Sequence, residues 1–248
     1  MPAMLSAGAL LLLWHWACAT GWVNAYVLPS PQRVWRTFAK MVASGELLTD
    51  VGVSLARVFR GFAIAFALAF LLAVLRIFFP ARKACYEYAV QFFRNVPPIA
   101  MIPLLILWFG IGERTKTIII VLASFFPMYL SIVKGFTGCD PKLLEVAHSF
   151  DYSRGRAFLR VILPSAMSDI MVGMRTSLGY SWRAIIGAEM VAASTGLGHM
   201  ILFAQQMSRT DKVIVGILVI GLVGYATDRL MGLLIKRFVG GTAQNGWD

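Results

Sequence analysis

DPKLLEVAHSFDYSRGRAFLRVILP, residues 140–164, is a charged and punctuated island in a chain otherwise suited to lipid. Asp140 followed by Pro141 has the chemistry of a helix N-cap and first helical residue: the carboxylate accepts from an orphan N–H, and proline has none to lose. The pattern predicts a short helix over Lys142–Phe150, a break near Asp151–Tyr152, a restart at Ser153, and a stop at Leu163–Pro164 before a new apolar span. In the first short helix Leu143, Leu144, Ala147 and Phe150 share an apolar stripe, with Glu145 and His148 on the polar side. The second repeats the plan, with Ala157, Phe158, Val161 and Ile162 apolar and Arg156 and Arg160 on another face. One element is expected to lie against the cytoplasmic ends of the chain's own helices, and the other to offer Glu145 to a partner groove. Two interfacial helices resting on lipid headgroups are the alternative, and amphipathicity alone does not choose between them.

Working outward, hydrophobic residues make up 58% and charged residues 14% of 248, with a mean hydropathy of +0.72. Soluble domains carry about 25% charged residues, so the composition is that of an all-α, polytopic membrane protein. Residues 1–248 read as one membrane domain without room for a separate soluble catalytic domain. The formal charge of +11 is spread over short loops and span ends. It reads as topology signals and anchoring to anionic lipid, not as a nucleic-acid surface. Cys18, Cys85 and Cys139 match no metal or redox spacing, so no disulfide framework is expected. His15, His148 and His199 are isolated, and no metal site is expected.

Apolar stretches of about 20 residues fit the hydrocarbon core and give about six spans: 4–22, 51–79, 88–109, 115–135, 166–191 and 213–235. A signal peptide is the rival reading of the first, with small residues at Ala17–Ala19; the lack of a preceding basic residue argues against it. Leu28–Asp50 reads as a polar connection with an amphipathic stretch at Val34–Val42, and Ala192–Asp211 as a Gly/Ser/Thr-rich loop. One set of loops holds Arg76, Arg82, Lys83, Lys134, Lys142, Arg154, Arg156, Arg160, Arg229, Lys236 and Arg237; the other holds Arg33, Arg36, Lys40, Arg114, Lys116, Arg209 and Lys212. The richer set, with the island, is therefore assigned to the cytoplasm, and both termini with it.

Ionisable groups inside spans are costly and often functional. Arg175 falls near mid-depth of the fifth span, with Arg183 and Glu189 farther toward its outer end. Guanidinium groups along a pathway suit an anionic solute. The competing reading pairs Arg175 with a neighbouring helix and leaves Arg183 and Glu189 at the outer interface. Arg94 sits near the cytoplasmic end of the third span, where snorkelling or capping of broken-helix carbonyls explains it. Pro97, Pro98, Pro103 and Pro127 remove backbone donors where lipid supplies none, which favours spans three to five as pathway lining, with simple kinks as the rival.

Within the island, Glu145, Ala147, Ser153, Phe158, Val161, Leu163 and Pro164 match the EAA loop of binding-protein-dependent ABC importer permeases. LPSP (28–31), SLARVFRGF (54–62), RNVPPIAMIPLLILWFGIGERTK (94–116), FFPMYL (125–130), AEMVAASTGLGHMI (188–201) and RTDKVIVGI (209–217) resemble the sulfonate, taurine and nitrate branch of that family. The resemblance covers nearly the whole chain after the first span. It implies a bacterial inner-membrane permease for a small anion, an aliphatic sulfonate first and taurine or nitrate next. It also implies a second permease copy, two ATPase subunits docked on residues 140–164, and a periplasmic or lipid-anchored substrate-binding protein. ATP and Mg would sit on the ATPase partners, with no cofactor on this chain. Glu145, Ala147, Asp151, Ser153, Gly155, Phe158, Leu163 and Pro164 carry the implied coupling role, and Arg94, Pro97, Pro98, Arg175, Arg183 and Glu189 are the pathway candidates. Asp151 stands where the family usually has Gly, and Val146 where it has Ala. Asp tolerates left-handed backbone better than most residues, and Gly155 is positioned to absorb part of the bend.

No GxxxxGK[ST] sequence occurs, so ATP hydrolysis is not expected on this chain. No GxSxG or HExxH constellation marks an intramembrane enzyme. An ion-gradient-driven secondary transporter would show duplicated halves, and no duplication is visible.

Overall fold

The computed structural model describes residues 2–79 and 83–239, which are helical or irregular. In chain order the helices are α1 (Pro2–Ala19), α2 (Pro31–Ala43), α3 (Glu46–Phe78) and α4 (Lys83–Phe93). A 3-10 turn, Pro98–Met101, then leads into α5 (Ile102–Phe109), α6 (Glu113–Thr137) and α7 (Pro141–Ser149). The series ends with α8 (Arg154–Ala192), α9 (Leu197–Gln206) and α10 (Thr210–Val239). Among the described residues, α3, α6, α8 and α10 are each long and apolar enough to cross a membrane. A fifth crossing is added if Glu87–Phe93 and Pro98–Phe109, bent by 89°, count as one broken span. The chain is a multi-pass helical membrane protein.

Several boundaries differ from the sequence reading. The supposed polar connection at Leu28–Asp50 is mostly helix: Ser30 accepts a hydrogen bond from the Arg33 N–H at 3.4 Å and starts α2, and α3 already begins at Glu46. The amphipathic stretch read at Val34–Val42 is the body of α2, with Val34 and Met41 buried and Trp35 and Val42 exposed. The expected span 88–109 is broken at its proline pair, because Pro97 and Pro98 cannot donate to the preceding turn. Pro127, by contrast, lies inside an uninterrupted α6. The loop at 192–211 contains α9. The expected stop at Leu163–Pro164 is also overturned, since α8 runs on for 39 residues. A π-turn at Phe158–Ile162, with the Leu163 N–H donating to the Phe158 carbonyl, absorbs the donor that Pro164 lacks. Arg82 lies outside the described residues, as does the Cys85 side chain.

The chain divides into two compact units whose boundaries fall inside α3, α8 and α10. One comprises Arg57–Ile185 and the chain from Gly224 onward. In it Ala65, Ala69 and Ala73, one face of α3, are fully buried, and Gly61 lies where a Cβ would come within 2.6 Å of Ile120. Gly173 of α8 is as close to Ser131 of α6, and Lys134 pairs with Asp169 at 2.9 Å. Small residues let membrane helices approach closely, because helix association in lipid depends on packing. The other unit comprises the chain up to Ala56 and Ile186–Val223. There α2 is fastened by Thr37, which donates to Asp211 at 2.7 Å, and Gly216 packs against Met200 and Ile201.

Candidate functional site

Residues 140–164 form two capped helical pieces joined by a tight turn. Asp140 accepts from the Lys142 N–H at 2.9 Å and starts α7, and Ser153 accepts from the Arg156 N–H at 3.4 Å and starts α8. At the C-terminus of α7 the Tyr152 N–H donates to the Ala147 carbonyl at 3.0 Å, and the Asp151 N–H to the His148 carbonyl at 2.9 Å. These two bonds are those of a Schellman cap, whose C′ residue is left-handed. Asp151 fills that position with φ +50°, so the turn survives without glycine. Gly155, expected to absorb part of the bend, sits inside the first turn of α8 with no positive φ and an open surface around it.

Phe158 anchors the pair of helices. It is buried, and its ring meets Phe78 of α3 at 5.6 Å and Phe136 of α6 at 5.2 Å. Ala147 is buried as well. The guanidinium groups of Arg156 and Arg160 lie 5.7 and 5.8 Å from the ring centre of Tyr152, tying the turn to α8. The sequence reading missed Tyr152, for which only the i, i+4 and i, i+8 spacing of an aromatic and two arginines gave a signal. The apolar stripe expected to pack inward is only partly covered. Leu143 is 47% exposed, Val146 52% and Phe150 69%, with Glu145 exposed among them.

Several charges on the long helices are paired with carboxylates. Arg57 donates to Glu113 through Nε and Nη2, the latter at 2.7 Å, and Lys116 reaches the same carboxylate at 2.6 Å. Arg76 approaches Glu87 at 3.7 Å. Arg175 makes a two-point bond with Asp228 at 2.7 and 2.6 Å. Arg175 is therefore held by a neighbouring helix, the packing alternative foreseen for it.

Glu189 is fully buried within the protein. Its carboxylate accepts from Ser54 Oγ at 2.9 Å and from the Gly198 N–H at 3.0 Å. Ser54 Oγ in turn accepts from the Leu197 N–H at 3.0 Å, and Asp50 from the Gly196 N–H at 2.8 Å. Three side chains thus satisfy the orphan donors at the start of α9. Gly196, at φ +112°, and Gly198 leave the space this requires: a Cβ on Gly196 would collide with the Glu189 carboxylate, and one on Gly198 with the Ile186 carbonyl.

Two open cavities are lined by basic residues. One of about 490 Å³ is bordered by Arg33, Arg36, Lys40, Arg209, Asp211 and Lys212. Arg209 pairs there with Asp211 at 2.9 Å and Lys212 with Glu46 at 2.7 Å. The other, about 380 Å³, brings Arg94, Pro98 and Arg183 together with Pro127. Arg175 and Glu189 are not among its lining residues.

A broken span, close helix packing through small residues and a capped loop between α6 and α8 are the features of a polytopic helical membrane protein. Residues 61–240 match the model of the binding-protein-dependent transport system inner membrane component, and the chain belongs to that family. It is 35% identical over 96% of its length to a putative aliphatic sulfonates transport permease of Bacillus subtilis, covering 87% of that protein. Against the taurine transport system permease of Escherichia coli it is 30% identical, covering 92% of this chain and 86% of the relative. Its fold resembles a solved amino acid ABC transporter chain, with a TM-score of 0.64 and 17% identity over 82% of this chain and 97% of the other. A methionine ABC transporter chain in an inward-facing state gives a TM-score of 0.58 at 16% identity, covering 73% and 92%. The chain is the permease subunit of an ABC importer, a transport subunit that works with ATPase and substrate-binding partners.

Proposed function

We propose that this permease forms the pathway for a small anion, aliphatic sulfonates first and taurine or nitrate next, in a bacterial inner membrane. The named sulfonate and taurine permeases among its relatives support that substrate class. Two copies of the chain would line the pathway, two ATPase subunits would dock on residues 140–164 from the cytoplasm, and a periplasmic or lipid-anchored protein would deliver the substrate. Both termini then face the cytoplasm, following the lysine and arginine distribution.

The observation that carries the coupling role is the exposed apolar patch of Leu143, Val146 and Phe150 around Glu145, on an element fixed at both ends. A short helix that leaves its apolar residues in solvent has the chemistry of a helix offered to a groove. Phe158 and Ala147, both buried, would carry its displacement to the membrane helices. ATP-driven closure of the partners would pull on this elbow and rock α6 and α8 between inward- and outward-facing states, with ATP and Mg bound by the partners.

Glu145→Lys tests the reading. Uptake and co-purification with the ATPase should be lost while membrane insertion is unchanged; unchanged uptake would overturn the docking role. Uptake that survives collapse of the membrane potential but not depletion of ATP separates this mechanism from an ion-gradient-driven carrier.

A further inference from the structure

Arg57, Arg76 and Arg175 each have a carboxylate within ion-pairing distance. Arg94 and Arg183 do not: among the described residues no Asp or Glu pairs with either, and Arg183 meets only the ring of Tyr180, 5.8 Å from its centre. Both line the cavity of about 380 Å³, which gathers the break between α4 and α5, the Pro127 region of α6 and one face of α8. No Asp or Glu lines it, and much of the remaining wall is apolar, including Ile99, Leu122 and Phe126. Two guanidinium groups on one cavity without a protein counter-charge leave their forked donors free for a ligand that brings its own charge.

We propose that this cavity is a binding station for organic monoanions that carry an oxyanion head and an apolar substituent. Arg94 and Arg183 hold the head, since each guanidinium offers a planar fork matched to sulfonate-type oxygens. Ile99, Leu122 and Phe126 receive the substituent. The wall also sets specificity: a zwitterion must leave its ammonium group without a carboxylate partner in an apolar environment, which costs binding. The inference rests on the anion-transport reading and narrows it, favouring alkyl sulfonates over taurine and over nitrate, which has no apolar part.

The test uses the full-length permease in phosphatidylcholine nanodiscs and tritiated propane-1-sulfonate, read by scintillation proximity. Taurine, which has an ammonium group where propane-1-sulfonate has a methyl, is the competitor. Arg94→Gln and Arg183→Gln should each weaken sulfonate binding about tenfold, and Arg183→Lys less, because charge remains without the fork. Taurine should compete at least about tenfold more weakly than unlabelled propane-1-sulfonate. Both side chains are exposed, so the variants should keep the wild-type melting temperature, and each is read separately. Wild-type affinity in both Gln variants, or equal competition by taurine, would overturn the proposal. Adding phosphatidylglycerol separates the two sources of such an oxyanion: undiminished sulfonate binding supports a soluble ligand, and displacement would overturn it in favour of a lipid headgroup. ATP-driven uptake is scored separately, so loss of coupling with intact binding refutes the transport reading and leaves the site standing.

Discussion

Arg175 on α8 and Asp228 on α10 are joined by two hydrogen bonds, from Nε to Oδ1 at 2.7 Å and from Nη2 to Oδ2 at 2.6 Å. The fork geometry fixes the rotation of one helix against the other as well as its charge. Neither residue lines the cavity that holds Arg94 and Arg183.

Arg175→Gln or Asp228→Asn alone leaves one charge without its partner and should destabilise the detergent-solubilised protein by up to about 1 kcal/mol, since both side chains are partly exposed, lowering its melting temperature. The double variant Arg175→Gln/Asp228→Asn should recover part of that loss. A double variant no more stable than the worse single variant would contradict the pairing.

Gly198→Ala puts a methyl group against the Ile186 carbonyl and the Glu189 side chain. The start of α9 must then shift away from its caps, and folded yield measured by size-exclusion chromatography should fall sharply. Ser54→Ala removes one donor to Glu189 and one acceptor for Leu197. Its cost should be milder, about 1–3 kcal/mol in thermal denaturation.

Asp151 occupies the left-handed C′ position of the α7 cap at φ +50°. Asp151→Gly removes the backbone penalty and should leave uptake intact with a gain of about 0.5–1 kcal/mol in stability. Asp151→Val places a β-branched residue there and should impair uptake while the chain still reaches the membrane.

Phe158→Ala empties the contact among Phe78, Phe136 and the elbow. Truncations of buried Phe cost about 3–5 kcal/mol in soluble cores, so a lower melting temperature is expected. The ATPase should still bind through the exposed face of α7 while uptake drops. Loss of ATPase binding together with uptake would show that Phe158 shapes the docking face itself.

Pro164→Ala restores an N–H that can bond the Arg160 carbonyl and favours a regular α-helix in place of the π-turn. Removing the extra residue of that turn rotates the preceding turn by about 100° and should re-aim Arg156 and Arg160 away from Tyr152. Uptake should fall with membrane insertion preserved, as measured by transport and by fractionation.

Much of this was legible locally. Asp140–Pro141 and Ser153 announce helix starts because a cap is made by neighbours in the chain, and both act as caps in the structure. Pro97–Pro98 marked a disturbance in the third span but not its size, because a bend of 89° depends on what the freed backbone groups can meet afterward. Pro164 was read as a terminator, although a π-turn at Phe158–Ile162 carries the helix through it. The burial of Glu189 was not legible, because Ser54, which donates to it, lies 135 residues away in the chain.

The sequence by itself determined that the chain belongs in lipid and that two short capped helices start at Asp140 and Ser153, because hydropathy and capping act between near neighbours. Tertiary structure alone decided which arginines are neutralised and which face a cavity without a counter-charge. Arg57, Arg175 and Glu189 find their partners 56, 53 and 135 residues away, respectively. Only helix packing brings such groups within hydrogen-bonding reach, and no local pattern encodes it.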